Sequence, residues 1–182
     1  MIGNDLELSI IGLYADDLTA GFTILQISKL LKKAYPYINK KANEFIEEEI
    51  FLKTKVGNSH LCHLNLESPQ TIILLTLIEL RKLEARMASE PQTEALISEL
   101  KSAREEFNMT LVAEFGNEIF VICEQKNPEL IKKYPLLASR KTTQTSSREF
   151  QSKLARETAT QIFFGFEQYY FLFSLARGKM IS

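Results

Sequence analysis

The chain has 182 residues, 45% hydrophobic and 25% charged, the proportions of an ordinary folded protein, which excludes disordered, collagen-like and disulfide-stapled classes. A formal net charge of -1 excludes indiscriminate coating of nucleic acid through global positive charge, so any DNA contact has to come from a local patch. Cys62 and Cys123 lie far apart, the start Met1-Ile2-Gly3-Asn4-Asp5 is polar, and no apolar run reaches the ~20 residues of a bilayer span. The expectation is a cytoplasmic protein with buried thiols and no membrane contact.

In chain order, Asn4 is placed to cap a helix from Asp5 to about Tyr14, with Leu6, Ile10, Leu13 and Tyr14 at helical spacing. Thr23-Ile24-Leu25-Gln26 has the form of a capping box and starts a second helix, with Ile24, Ile27, Leu30 and Leu31 as its core face. That helix should stop near Lys33, because Pro36 biases Tyr35 away from helical geometry. Pro36 suits the first turn of a third helix that buries Ile38, Ala42, Phe45, Ile46 and Ile50. Leu52, Thr54 and Val56 then alternate with Lys53 and Lys55, Gly57-Asn58 makes a turn, and Cys62, Leu64 and Leu66 alternate with His63 and Asn65. This is a two-stranded wing, with Cys62 expected inward and His63 outward.

Ser68-Pro69 opens an apolar helix to about Ala88, and Ser89 with Pro91 restarts an amphipathic one to about Phe107. Thr110 to Phe115 and Glu118 to Cys123 are β-rich runs about Gly116-Asn117, expected as a hairpin, with parallel pairing as the alternative. Asn127-Pro128 begins a short helix to about Tyr134, and Leu136 to Thr145 reads as extended. Ser146 or Ser147 caps a helix from Arg148 to about Thr158, and the aromatic-rich stretch Gln161 to Arg177 is expected to be a helix sealing the second core.

A helix that buries one stripe can offer the other to the major groove. Tyr35, Tyr37, Asn39, Lys40, Lys41 and Asn43 fall off the apolar stripe of the third helix, and Asn39 and Asn43 are the expected base readers. Lys29, Lys32, Lys33, Lys40, Lys41, Lys53 and Lys55 crowd into this region, whereas the first twenty-four residues carry acids and no bases. Such lysines suit phosphates, with Asn58 and His60 completing the wing contacts; the plain alternative is a solvated lysine-rich face.

His60, Cys62 and His63 lack a fourth ligand at zinc spacing, and Glu47, Glu48 and Glu49 point in different directions on a helix. Neither predicts a metal, no catalytic pair or phosphate loop stands out, and no cofactor is expected.

The segment from Ile27-Ser28-Lys29-Leu30-Leu31 through Tyr35-Pro36-Tyr37-Ile38-Asn39-Lys40-Lys41 to Lys55-Val56-Gly57-Asn58 resembles winged helix-turn-helix regulators common in archaea. The resemblance implies a helix reading the major groove and a wing on the backbone or minor groove. The second half is similar to minimal nucleotidyltransferase domains: Leu111-Val112-Ala113-Glu114-Phe115-Gly116 resembles the strand entering their Gly-Ser motif, Ser146 to Leu154 a later helix, and Gln161 to Tyr170 the closing segment. Active members follow the glycine with serine, a spacer and two magnesium-holding acids separated by one apolar residue. Here Asn117 follows, the spacer is absent, and Glu118-Ile119-Phe120 supplies one acid, which implies a catalytically dead remnant.

The expected architecture is α+β: a winged helix at 1–67, a helical linker and dimerisation region at 68–108, and a small α/β domain with a short sheet at 109–182. The expected function is sequence-specific binding of double-stranded DNA in transcriptional control, by a homodimer without catalytic activity. The alternatives are a divergent nucleotidyltransferase using Glu118 with Glu114 or Glu124, and a winged-helix protein-protein adaptor.

Overall fold

The computed structural model describes residues 5–123 and 126–177. The fold is α+β, and the chain divides into two compact units, Met1–Ile78 and Glu79–Ser182. The boundary falls inside one helix instead of at a separate 68–108 linker. The physical reason is burial: Leu83, Leu96, Leu100 and Ala103 all enter the core of the second unit.

In the first unit α1 spans Asp5–Gly12, α2 Ile24–Leu31 and α3 Tyr35–Glu47, followed by β1 (Phe51–Val56) and β2 (Ser59–Leu64). Asn4, the expected cap of α1, lies outside the described residues. The Thr23 box forms as expected: the Thr23 hydroxyl accepts from Gln26 N at 3.2 Å, and Gln26 Oε1 accepts from Thr23 N at 2.7 Å. Such a cap contributes about 1 kcal/mol. On α2 Ile27 is buried, but Leu30, expected in the core, is exposed. The helix ends one residue later, and in its last turn Lys29 and Leu30 are exposed while Ser28 is buried and Leu31 half-buried.

The core of this unit is aromatic. Tyr14 lies 4.9 Å from Phe22 and 5.4 Å from Phe51, and Phe45 meets Phe51 edge-on at 5.3 Å. The buried Tyr14 hydroxyl donates to the Cys62 carbonyl at 2.9 Å, so its polar tip is satisfied and burial holds its pKa far above the usual phenol range. Phe22 exchanges both backbone hydrogen bonds with Cys62, at 3.1 and 2.8 Å, adding a one-residue third strand to the β1–β2 hairpin.

The second unit receives the end of α4 (Pro69–Ser89), then α5 (Pro91–Phe107), β3 (Met109–Phe115), β4 (Glu118–Cys123), α6 (Glu129–Lys133), α7 (Pro135–Ala138), β5 (Lys141–Thr145), α8 (Ser147–Leu154), β6 (Gln161–Phe164) and α9 (Phe166–Arg177). The sheet order is β5-β4-β3-β6. β3 pairs antiparallel with β4 and with β6, and β4 pairs parallel with β5. One face, with Val112, Ile119, Val121 and Phe163, packs against Leu83, Leu96, Leu100, Leu130 and Leu137. On the other, Phe115 and Phe120 meet Phe150 of α8, which in turn lies 6.2 Å from Tyr169 of α9.

Two local expectations change here. Gln161–Phe164 is a strand and not the start of the final helix, because β3 offers it a free edge and Gly165, at φ 79°, turns the chain into α9. The stretch from Leu136 divides into α7 and β5. Ser146 caps α8 in a second capping box with Glu149.

Candidate nucleic-acid interface

The turn between α2 and α3 is Lys32-Lys33-Ala34. Lys32 adopts φ 52°, ψ 39°, a left-handed geometry that stops α2 as glycine would. Ser28, almost wholly buried, locks the turn: its hydroxyl donates to the Lys33 carbonyl at 2.7 Å while Lys33 N donates to the Ser28 carbonyl at 3.1 Å. Lys29, Lys32 and Lys33 are all exposed around this turn.

Helix α3 buries Ile38, Ala42 and Phe45, and Ile46 is half-buried. Its opposite face carries Lys40 and Asn43, both exposed, with Tyr35 46% and Tyr37 59% exposed near its start. Asn39 is half-buried at the margin of the face, so of the two expected base readers Asn43 is the open one. The first turn of α3 has no acid and no side-chain cap, which leaves its positive dipole end uncompensated beside Lys32 and Lys33.

Lys41 differs from its neighbours. Its ammonium lies 2.5 Å from Glu44 Oε2 and 3.1 Å from Glu7 Oε1 of α1, and Glu44 first, then Glu7, hold its pKa above the usual lysine range. Its charge is therefore spent inside the protein. Beside it, Asp5, Leu6, Tyr37, Lys40, Lys41 and Glu44 line a groove of about 450 Å³.

In the hairpin, register decides which residues share a face. Phe51 stands opposite Leu64, Lys53 opposite Cys62 and Lys55 opposite His60. Phe51, Cys62 and Leu64 are buried, so Lys53, Lys55 and His60 prolong the core-facing side of the ribbon beyond the core, where all three are exposed. Leu52, Thr54 and Val56 share the other face with His63 and are exposed too. Gly57, at φ 58°, makes the turn and presents Asn58 at the exposed tip. His63, expected outward, is half-buried: its ring fills the space over Gly21, where a Cβ would come within 2.2 Å of His63 Cε1.

Among the described residues, the two acids considered for a metal, Glu114 and Glu118, do not gather. Phe115 stands opposite Glu118, and Glu114 opposite Ile119, so Glu114 and Glu118 lie on opposite faces of the sheet. Glu118 accepts from Thr143 Oγ1 at 2.7 Å and Lys141 Nζ at 2.9 Å; these donors outweigh burial and lower its pKa. Glu114 is held by Arg86 and Arg140. Glu124, the other acid considered, lies outside the described residues. Among the described residues no group of His, Cys, Asp and Glu is placed to hold a metal ion, and no helix is long and apolar enough to cross a membrane.

The chain matches no family model, no curated protein and no solved structure. The side chains themselves therefore carry the functional reading. Sequence reasoning missed Phe22 as a strand, Glu7 as the partner of Lys41, and the arginines on Glu114. Of these only Phe22, an aromatic between Gly21 and the capping Thr23, carried any local signal.

Proposed function

We propose that the first unit is an archaeal-type winged helix that binds double-stranded DNA in a sequence-dependent way and serves transcriptional control. The order supports it: α1, the Phe22 strand, α2, a tight turn, α3, then a hairpin. One observation carries the reading. The face of α3 turned away from Ile38, Ala42 and Phe45 is open, and it holds Tyr37, Lys40 and Asn43 between the lysines of the turn and the groove beside α1.

In this reading Tyr35, Tyr37, Asn39 and Asn43 meet base edges or the sugar-phosphate chain. Lys29, Lys32, Lys33, Lys40, Lys53 and Lys55, with Asn58 and His60, meet phosphates. Lys41 is reassigned from DNA contact to support of α3, since two carboxylates already engage it.

Titration of a labelled duplex at two salt concentrations tests this. Affinity should fall steeply with salt and vary among sequences. Binding that is absent, or indifferent to salt, removes the reading and leaves a protein-binding adaptor.

The second unit is proposed to lack nucleotidyl transfer, because Glu114 and Glu118 face apart and cannot share magnesium ions. Radiolabelled ATP with magnesium, assayed for transfer to protein or RNA, tests that point. The active species is proposed to be a homodimer acting in the cytoplasm, supported by the exposed Ile73 and Leu80 of α4; light scattering at micromolar concentration measures it.

A further inference from the structure

Around Glu114 in the second unit, charges converge that DNA binding does not use. The Glu114 carboxylate, 5% exposed near the end of β3, accepts from Arg140 Nη1 at 2.9 Å through Oε1 and from Arg86 Nη1 through Oε2. Arg86 also donates from Nε to Glu90 Oε2 at 2.9 Å. Thr93, fully buried, donates its hydroxyl to that same Glu90 oxygen at 3.1 Å. Glu90 is 52% exposed, and Arg86 first, with Thr93 and Arg140 adding to it, lowers the pKa of its carboxyl.

Two positive charges thus face two carboxylates of unequal standing. Glu114 is fixed in the sheet, and removing it would strand two partly buried guanidiniums. Glu90 sits at the solvent edge, just ahead of α5, and can turn into water at small cost. Its departure leaves Arg86, Arg140 and Glu114 with one net positive charge, together with a buried hydroxyl that has lost its acceptor. Donors are also in reserve, because towards the described residues Arg140 uses Nη1 alone and Arg86 uses Nε and Nη1.

We propose that Arg86, Arg140 and Thr93 form a binding site for a small-molecule oxyanion, a carboxylate or a phosphate, whose place is taken in this structure by the protein's own Glu90 carboxylate. Guanidinium forks match either oxyanion with paired hydrogen bonds, and one negative charge restores neutrality. The arginines come from α4 and from the turn between α7 and β5, so an occupant bridges separate elements of the unit.

The test is thermal unfolding of the full chain in inorganic phosphate and in acetate, against chloride at matched ionic strength. At least one of the two anions should raise Tm beyond chloride, and the tighter one identifies the ligand class. Glu90→Gln, which keeps both Glu114 pairs, should tighten that anion about tenfold by removing the competing charge. Arg140→Gln should abolish the effect. Equal anion dependence in the wild type and Glu90→Gln overturns the proposal, as does the absence of any shift beyond chloride. The Glu90→Gln comparison stands even if Arg140→Gln does not fold.

Discussion

The Lys41 ammonium lies 3.1 Å from Glu7 Oε1, an ion pair that ties α3 to α1, with Lys41 21% and Glu7 13% exposed. Lys40, one position earlier, is exposed on the open face of α3. Adjacent lysines therefore have different roles. Lys40→Ala should lower the slope of log affinity against log salt by about 1. Lys41→Met should leave that slope unchanged and cost about 1 kcal/mol of folding stability, read by urea denaturation. Equal slopes for the two variants would show that α3 is not the phosphate-facing helix.

Asn43 and Asn39 separate in the same way. Asn43→Ala should relax preference at one base pair by about 1 to 3 kcal/mol if the contact is bidentate, measured across a set of single-site operator variants. Asn39→Ala should have the smaller effect, because Asn39 is half-buried at the margin.

The turn before α3 stores strain at Lys32, whose φ of 52° suits glycine. Lys32→Gly should stabilise the fold by about 0.5 to 1 kcal/mol while weakening DNA binding through loss of one charge. Ser28→Ala should act in the opposite direction, costing about 1 to 2 kcal/mol, since the Lys33 carbonyl loses its buried donor. Chemical denaturation of the two variants checks both signs.

Gly165 joins β6 to α9 at φ 79°, and a Cβ there would meet the Thr110 carbonyl oxygen at 2.4 Å and Leu111 Cα at 2.8 Å. Neither backbone atom can yield without parting β3 from β6. Gly165→Ala should cost about 3 kcal/mol and expose the amides that join β3 to β6 to hydrogen exchange.

Glu149 accepts from Ser146 N at 2.9 Å and from Lys126 Nζ at 3.2 Å, and its pKa is lowered from 4.5 to about 2, by the Ser146 backbone first. A carboxylate depressed in the folded state adds stability above its unfolded pKa and loses it as pH falls through the folded value. The cap on α8 should hold above pH 4.5 and weaken steadily towards pH 2. Carboxyl NMR titration of Glu149 reads the folded value directly.

Much of the fold was legible because its signals are local. The Thr23–Gln26 and Ser146–Glu149 boxes close over three residues, and Gly57 and Gly116 turn both hairpins at φ near 60°, so neighbouring residues suffice to specify them. The candidate reading face was legible for the same reason, since Ile38, Ala42 and Phe45 define its opposite by helical period alone.

Tertiary structure decided what depended on distant partners. Nothing near Lys41 in sequence predicted that Glu7 would engage it, and nothing in Gln161–Phe164 predicted a strand until β3 presented an edge. Which face of the hairpin carries Lys53 and Lys55 followed from the burial of Phe51 against Phe45, because strand parity is set by a single anchor. Periodicity along the chain determined where helices and turns begin. Contacts across the chain determined which charges remained free to meet a ligand, since a lysine's role depends on whether a carboxylate reaches it first.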